Sequence, residues 1–235
     1  SVAKPLGPGG KTVDQILDKC IQVSGGTQRL SALTSSVGKG MYEGFDTADR
    51  PVAAEVYAKT SSQRTTVAHV PVENGETKDS VTVFDGRNGW ISAPNTFVPM
   101  LTMKGGNLDG GRVDADLSFP GRIKQMLTGW KANFLETMIA DREVDIVQGT
   151  AGNTAVKLFF DRQTGLLVRQ VRFVNTVIGF NPTQIDYSDY RDVAGVKLPF
   201  RWTISWTDGM STFQMKEIQT NVAIDAAKFA KPGGY

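Results

Sequence analysis

Between residues 37 and 218 the chain repeats one pattern: short runs of alternating apolar and polar residues, closed by Gly, Asn, Asp or Pro. Successive side chains on a strand point to opposite faces, so this alternation specifies antiparallel sheet with one packed face and one wet face. A first series covers residues 37–45, 52–60, 63–70, 80–84 and 89–93, and reads as a meander. In its second run Val52, Ala54, Val56 and Ala58 share one face while Glu55 and Lys59 share the other. Asp85-Gly86 and Asn88-Gly89 are turn signals around Arg87. A second series covers 143–148, 154–160, 166–174, 183–191, 200–206 and 211–218. There the loop DRQTG (161–165) and Asp208-Gly209 close hairpins, with glycine supplying a left-handed residue.

The rest of the chain departs from this period. Thr12 and Gln15 have the spacing of a capping box, and Val13, Ile16, Leu17, Cys20 and Ile21 follow at helical spacing until Gly25 and Gly26. Residues 28–33 predict a further short helical turn. In the segment 120–130, Ile123, Met126, Leu127 and Trp130 fall at i, i+3, i+4 and i+7 behind Pro120, which predicts a second amphipathic helix lying on the sheet. Between the two series, residues 94–112 are Gly-rich yet carry Phe97, Val98, Met100, Leu101 and Met103, so a lid or binding loop is expected rather than plain disorder. Residues 225–229 (DAAKF) predict a final turn that tucks Phe229 against the body. A length of 235 residues with 40% hydrophobic content suffices for one core. One mainly β (α+β) domain over 12–235 is expected, preceded by a Pro/Gly-rich linker or processed end at 1–11.

Composition removes several function classes. Lys+Arg 26 against Asp+Glu 24 leaves a formal +2, too little excess to collect phosphates along a nucleic acid. No apolar run approaches the roughly 20 residues that span a bilayer. His69 is the only histidine and Cys20 the only cysteine, so His/Cys zinc sites, Cys-X-X-Cys redox chemistry and haem attachment are not available. His69 sits in a Thr/Val-rich strand without a nucleophile elbow nearby, and Cys20 belongs to the buried stripe of the first helix. Asp186, Asp189 and Asp192 suggest a cation site only until strand period is applied, because Asp186 and Asp189 then point to opposite faces. The glycines at 7–10 and 105–111 fit neither a P-loop nor a dinucleotide fingerprint. No metal or cofactor is expected, and the absence of a catalytic constellation argues against an enzyme; a carboxylate-based enzyme is the weaker alternative.

The most informative segment is FRWTISW (200–206), where Phe200, Trp202, Ile204 and Trp206 share a face that Phe213 and Met215 on the neighbouring strand would extend. Such a face needs a thickness of protein or ligand above it. Either the helices fill that space as ordinary core, or it is partly empty and takes a lipid-like ligand. The candidate ligand-binding residues are therefore Phe97, Met100, Leu101 and Met103 of the lid, Ile123, Met126, Leu127 and Trp130 of the second helix, and Phe200, Trp202, Ile204, Trp206, Phe213 and Met215 of the sheet.

Written in order, VDQILDKCIQVSGG, FFDRQTGLLVRQV and YRDVAGVKLPF leading into FRWTISW resemble the lipoprotein-sorting carrier family of the bacterial envelope, over most of the chain. That resemblance implies a curved antiparallel half-barrel with helices on its concave face, in the periplasm or cell envelope, binding an apolar ligand or a lipidated protein. A narrower likeness runs through VDQILDK, SFPGRIKQMLTGW, QIDYSDYRDVAGVKLPFRWT and DAAKFAKP. These segments resemble the domain that follows the haem region in photosynthetic-reaction-centre-type cytochrome c subunit proteins. It implies an alternative role, as an interaction or assembly module beside a multihaem cytochrome c region or complex. Without Cys-X-X-Cys-His, haem binding carries over to no residue here.

Overall fold

The expected capping box forms: Thr12 Oγ1 accepts from Gln15 N at 3.2 Å and Gln15 Oε1 accepts from Thr12 N at 2.9 Å. It starts α1 (Val13–Ser24), whose Ile16, Leu17 and Cys20 are buried. Gly25, at φ +146°, ends the helix where a Cβ would lie 2.8 Å from the Gly195 carbonyl oxygen; α2 (Thr27–Ala32) follows directly. A computed structural model describes residues 10–48, 50–94, 96–132, 137–176 and 179–233. The linker expected at 1–11 therefore lies largely outside the described residues.

The first β series becomes β1 (Ser35–Gly44), β2 (Val52–Lys59), β3 (Gln63–Pro71), β4 (Thr77–Phe84), β5 (Gly89–Ser92) and β6 (Met100–Thr102). After α3 (Gly105–Leu117) come β7 (Thr128–Lys131), β8 (Thr137–Ile139), β9 (Arg142–Ala151) and β10 (Thr154–Asp161). The last four strands are β11 (Leu167–Thr176), β12 (Gly179–Val193), β13 (Val196–Trp206) and β14 (Gly209–Thr220). All pair antiparallel in one 14-stranded open sheet of order β6-β5-β4-β3-β2-β1-β14-β13-β12-β11-β10-β9-β7, with β8 also on β9. The two series are joined by the pairing of β1 with β14, from Ser36 opposite Thr220 to Gly44 opposite Ser211. The DRQTG hairpin is as expected: Asp161 accepts from Thr164 N through its side chain and from Gly165 N through its carbonyl, and Gly165 takes φ +81°.

The sheet is curved. β4 and β10 stand eight places apart in the order, about 38 Å in a flat sheet at about 4.8 Å per step. Yet α3, only about 20 Å long, touches β3 and β4 on one side and β9, β10 and β11 on the other. Polar contacts pin α3 to both halves. Arg64 Nη1 of β3 donates to Ser118 Oγ at 2.8 Å just past the helix end, and Arg172 Nη1 of β11 donates to Asp114 at 2.6 Å.

Two expectations are corrected. Residues 94–112 are not one long loop, because they contain β6 and the start of α3. The glycines of this helix face close neighbours: a Cβ on Gly106 would lie 2.6 Å from Val174 Cγ1, and one on Gly110 would lie 2.9 Å from the Arg172 guanidinium. The poor helix formers are there because only a bare backbone fits against β11. Residues 120–130, in turn, do not form a helix. A 3₁₀ turn (Pro120–Arg122) leads through further turns into β7, with Gly129 at φ +65°. Ile123, Met126 and Leu127 are nonetheless buried, because the apolar side chains seek the core by whatever backbone path reaches it. Leu127 lies so close to β9 that a Cβ on Gly149 would come within 2.7 Å of it.

Three apolar clusters make up the interior. The first gathers Ile16, Leu17 and Cys20 of α1 and Val113 of α3 with Ile123, Met126 and Leu127, over Val147, Val156, Leu158 and Phe160 of the sheet. The third sets Leu30 of α2 with Leu33 and Phe119 against Ala58, Val196 and Leu198. The second differs in kind, since every member comes from a strand: Tyr42, Ala54, Val56, Ala68, Val70, Ile185, Phe200, Trp202, Phe213 and Met215.

Candidate functional site

Above that helix-free cluster lies a cavity of about 260 Å³. Strand alternation sets its lining: Tyr42, Val56, Ala68, Ile185, Trp202, Phe213 and Met215 project into it from six strands, and Met103, Gly111 and Leu117 close it from the α3 side. Trp202 stacks on Phe213 across the β13–β14 pair, with ring centroids 5.2 Å apart, and Tyr42 tilts against Phe213 at 4.8 Å. Tyr42 donates to Asp46 at 2.7 Å; burial, then the Asp46 carboxylate, push its phenol pKa well up, so it stays neutral.

One flank of the cavity is polar, and Arg64, Asp114, Ser118 and Tyr187 belong to it. Asp114 accepts from Arg172 at 2.6 Å and from Gln170 Nε2 at 2.9 Å, while Gln170 also donates to the Tyr187 hydroxyl at 2.6 Å. Burial, then the nearby Asp114 charge, raise the Tyr187 pKa. Arg64 places its guanidinium 5.4 Å from the Trp202 ring centroid. Burial lowers its pKa, which Asp114 and Tyr187 partly offset, yet an arginine stays charged.

The candidate residues named from the sequence are divided among four places. Met103, Trp202, Ile204, Phe213 and Met215 line the cavity. Phe200 is buried in the same cluster without lining it. Ile123, Met126, Leu127 and Trp130 belong to the helix-covered first cluster instead, and the indole of Trp130 donates to the Lys124 carbonyl. Trp206 packs over Gly209, where a Cβ would lie 2.4 Å from its ring. Phe97 and Leu101, at 106% and 45% exposed, stand out at the β5–β6 end of the sheet, with Met100 half-buried beside them.

The polar flank escaped the sequence reading. Its one available signal was Arg64 itself, a charged residue on the strand face shared with Thr66, Ala68 and Val70. The other candidate chemistries are tied up. His69 Nδ1 lies 2.6 Å from Asp79 and Nε2 lies 3.0 Å from Glu55, so neither ring nitrogen is free to act as a base. Cys20 is buried, and that burial raises its thiol pKa to about 11. Asp186 pairs with Arg169, Asp189 with Arg191, and Asp192 accepts from Gly195 N. Among the described residues no group of three His, Cys, Asp or Glu could hold a metal ion, and no helix is long and apolar enough to cross a membrane.

No protein-family model matches the chain, and no curated protein does. Solved structures do. A DUF1329 family protein from Desulfovibrio piger superposes with TM-score 0.58 at 9% identity, covering 93% of this chain and 97% of that one. A LolA superfamily protein from Nitrosomonas europaea gives 0.55 at 14% identity, with 94% and 98% covered. A putative outer membrane lipoprotein-sorting protein domain from Vibrio parahaemolyticus gives 0.53 at 9% identity, with 92% and 97% covered. At such identities the likeness speaks for the fold alone, and that fold is LolA-like.

Proposed function

We propose that residues 12–235 form one non-catalytic binding domain of the periplasm or cell envelope, which holds an apolar ligand, a lipid or a lipidated protein, in the cavity above Val56, Trp202, Phe213 and Met215. The observation that carries this reading is the second apolar cluster. Helices cover the first and third clusters, whereas this one is built from strands only and borders open space. In this reading α1 and one side of α3 fill the concave face over the first cluster, and the ligand lies between α3 and the second. At about 0.8 kcal/mol per buried CH₂, enclosing a six-carbon stretch gains roughly 5 kcal/mol without any catalytic group. The Vibrio parahaemolyticus neighbour is described as a lipoprotein-sorting domain, and carrying that role over gives the address in the envelope. Native mass spectrometry, lipid extraction and titration with the neutral fluorescent probe N-phenylnaphthylamine test the reading. Co-purifying lipid or saturable probe binding is expected; protein that carries no lipid and binds no probe ends it.

A second reading, an assembly module of a cytochrome c-containing electron-transfer complex, draws on the exposed apolar group Phe97, Val98 and Leu101, which is suited to dock a protein partner. Cross-linking to a multihaem cytochrome c, lost on Phe97→Ser with Leu101→Ser, is its expected result. Cross-linking that is absent, or indifferent to those changes, removes it.

A further inference from the structure

Arg64 is a cation lining a mostly apolar cavity, and among the described residues it makes no ion pair. Its Nη1 donates to Ser118 Oγ at 2.8 Å, and its guanidinium rests over the Trp202 ring. Among the described residues no carboxylate lies within ion-pairing distance of it. The nearest acid of the flank, Asp114, is already engaged by Arg172 at 2.6 Å and by Gln170 at 2.9 Å. The flank thus holds two guanidinium groups, Arg64 and Arg172, against one carboxylate. A guanidinium has five N–H donors and cannot shed its charge. One of those donors meets Ser118, and the residue lines the cavity. Thr66, Ser80 and Thr82 line the same cavity. An uncompensated cation costs most where water is displaced, so an apolar chain entering this cavity alone would worsen its environment. A ligand that brings an anion with its chain removes that cost and gains charge-assisted hydrogen bonds.

We propose that the cavity selects single-chain amphiphiles with an anionic head, a carboxylate or a phosphate, which Arg64 receives beside Ser118 while the chain lies against Val56, Ala68, Phe213 and Met215. This rests on the cavity being a binding site and adds which chemistry it prefers. The test is displacement of N-phenylnaphthylamine from the delipidated protein by decanoate, decyl phosphate and decanol, three amphiphiles of one chain length, below their micelle concentrations and well above the carboxylate pKa.

An anionic amphiphile is expected to bind about tenfold or more tightly than decanol. Whichever anion binds better separates a fatty-acid head from a phosphate head. In Arg64→Leu the preference should fall to within about twofold while decanol binding persists, and Arg64→Lys should keep part of it. Equal binding of all three amphiphiles to the unaltered protein overturns the inference and leaves the apolar site standing. A preference that survives in Arg64→Leu overturns the role of Arg64. Failure of the probe and all three amphiphiles to bind overturns both readings. If Arg64→Leu does not fold, the comparison on the unaltered protein decides.

Discussion

Replacing Val56 with alanine, and separately Val156 with alanine, measures whether the second cluster borders real empty space. Both valines are buried, at 7% and 0% exposed, and both sit on interior strands, β2 and β10. The substitution removes the same atoms and the same strand propensity in each, so those contributions cancel in the difference. The transfer loss for two methyl-sized groups is about 1.6 kcal/mol at either site. Val156 lies under the helices in the first cluster, where its removal leaves a new void among fixed neighbours; a void term of about 24 cal/mol per Å³ brings the cost to roughly 3 kcal/mol. Val56 lines a cavity that already exists, so its outer methyl group has few partner atoms to lose. Its cost should stay near 1.5 kcal/mol, about half as much. Urea unfolding of delipidated protein by linear extrapolation reads both, provided the slope with denaturant is unchanged between variants. Costs that agree within about 0.5 kcal/mol, or a larger cost at Val56, would refute the claim that this face is incompletely packed.

Other expectations follow from single contacts. Partial burial alone would lower the His69 pKa, but the hydrogen bond and charge of Asp79, then Glu55, raise it overall. The resulting stabilisation is full below the unfolded value of about 6.5 and is lost as pH rises through the raised folded value. NMR titration of the single histidine should report the raised pKa, and His69→Gln should remove this part of the stability difference between pH 6 and pH 8. Gly106→Ala should destabilise by about 1–3 kcal/mol in thermal or urea unfolding, although alanine is the better helix former, because the stiff Val174 side chain occupies the Cβ position; a stabilised variant contradicts the close approach. Thr12→Ala should cost about 1 kcal/mol through loss of the capping box, seen as a lower unfolding midpoint. Phe97→Ser should leave the midpoint almost unmoved, within about 0.5 kcal/mol, since its side chain is fully exposed.

Features whose cause is local could be read directly from the residues. The start of α1 depends on Thr12 and Gln15, three positions apart, and the DRQTG turn on Asp161 and Gly165 within one loop. Alternation located the eleven principal strands to within a few residues, because period two is a property of each strand and needs no knowledge of its neighbour. Where the neighbour supplies the reason, the reading failed. Helical spacing at Ile123, Met126, Leu127 and Trp130 is genuine, yet the chain reaches the same burial without a helix. The glycines of α3 look like loop residues until Val174 and Arg172 of β11 are set beside them.

By itself, then, the sequence determined a mainly antiparallel β chain, an amphipathic first helix, tight hairpins, and an apolar face on Phe200, Trp202, Phe213 and Met215. Tertiary structure alone decided what stands above that face. Pairing of β1 with β14 joins two meanders into one curved sheet, and α3 spans its two halves, packing on the first cluster and leaving a cavity between itself and the second. It also decided that Arg64 lines the cavity with no ion-pairing acid among the described residues, since charge balance depends on which side chains meet in space and not on their order along the chain.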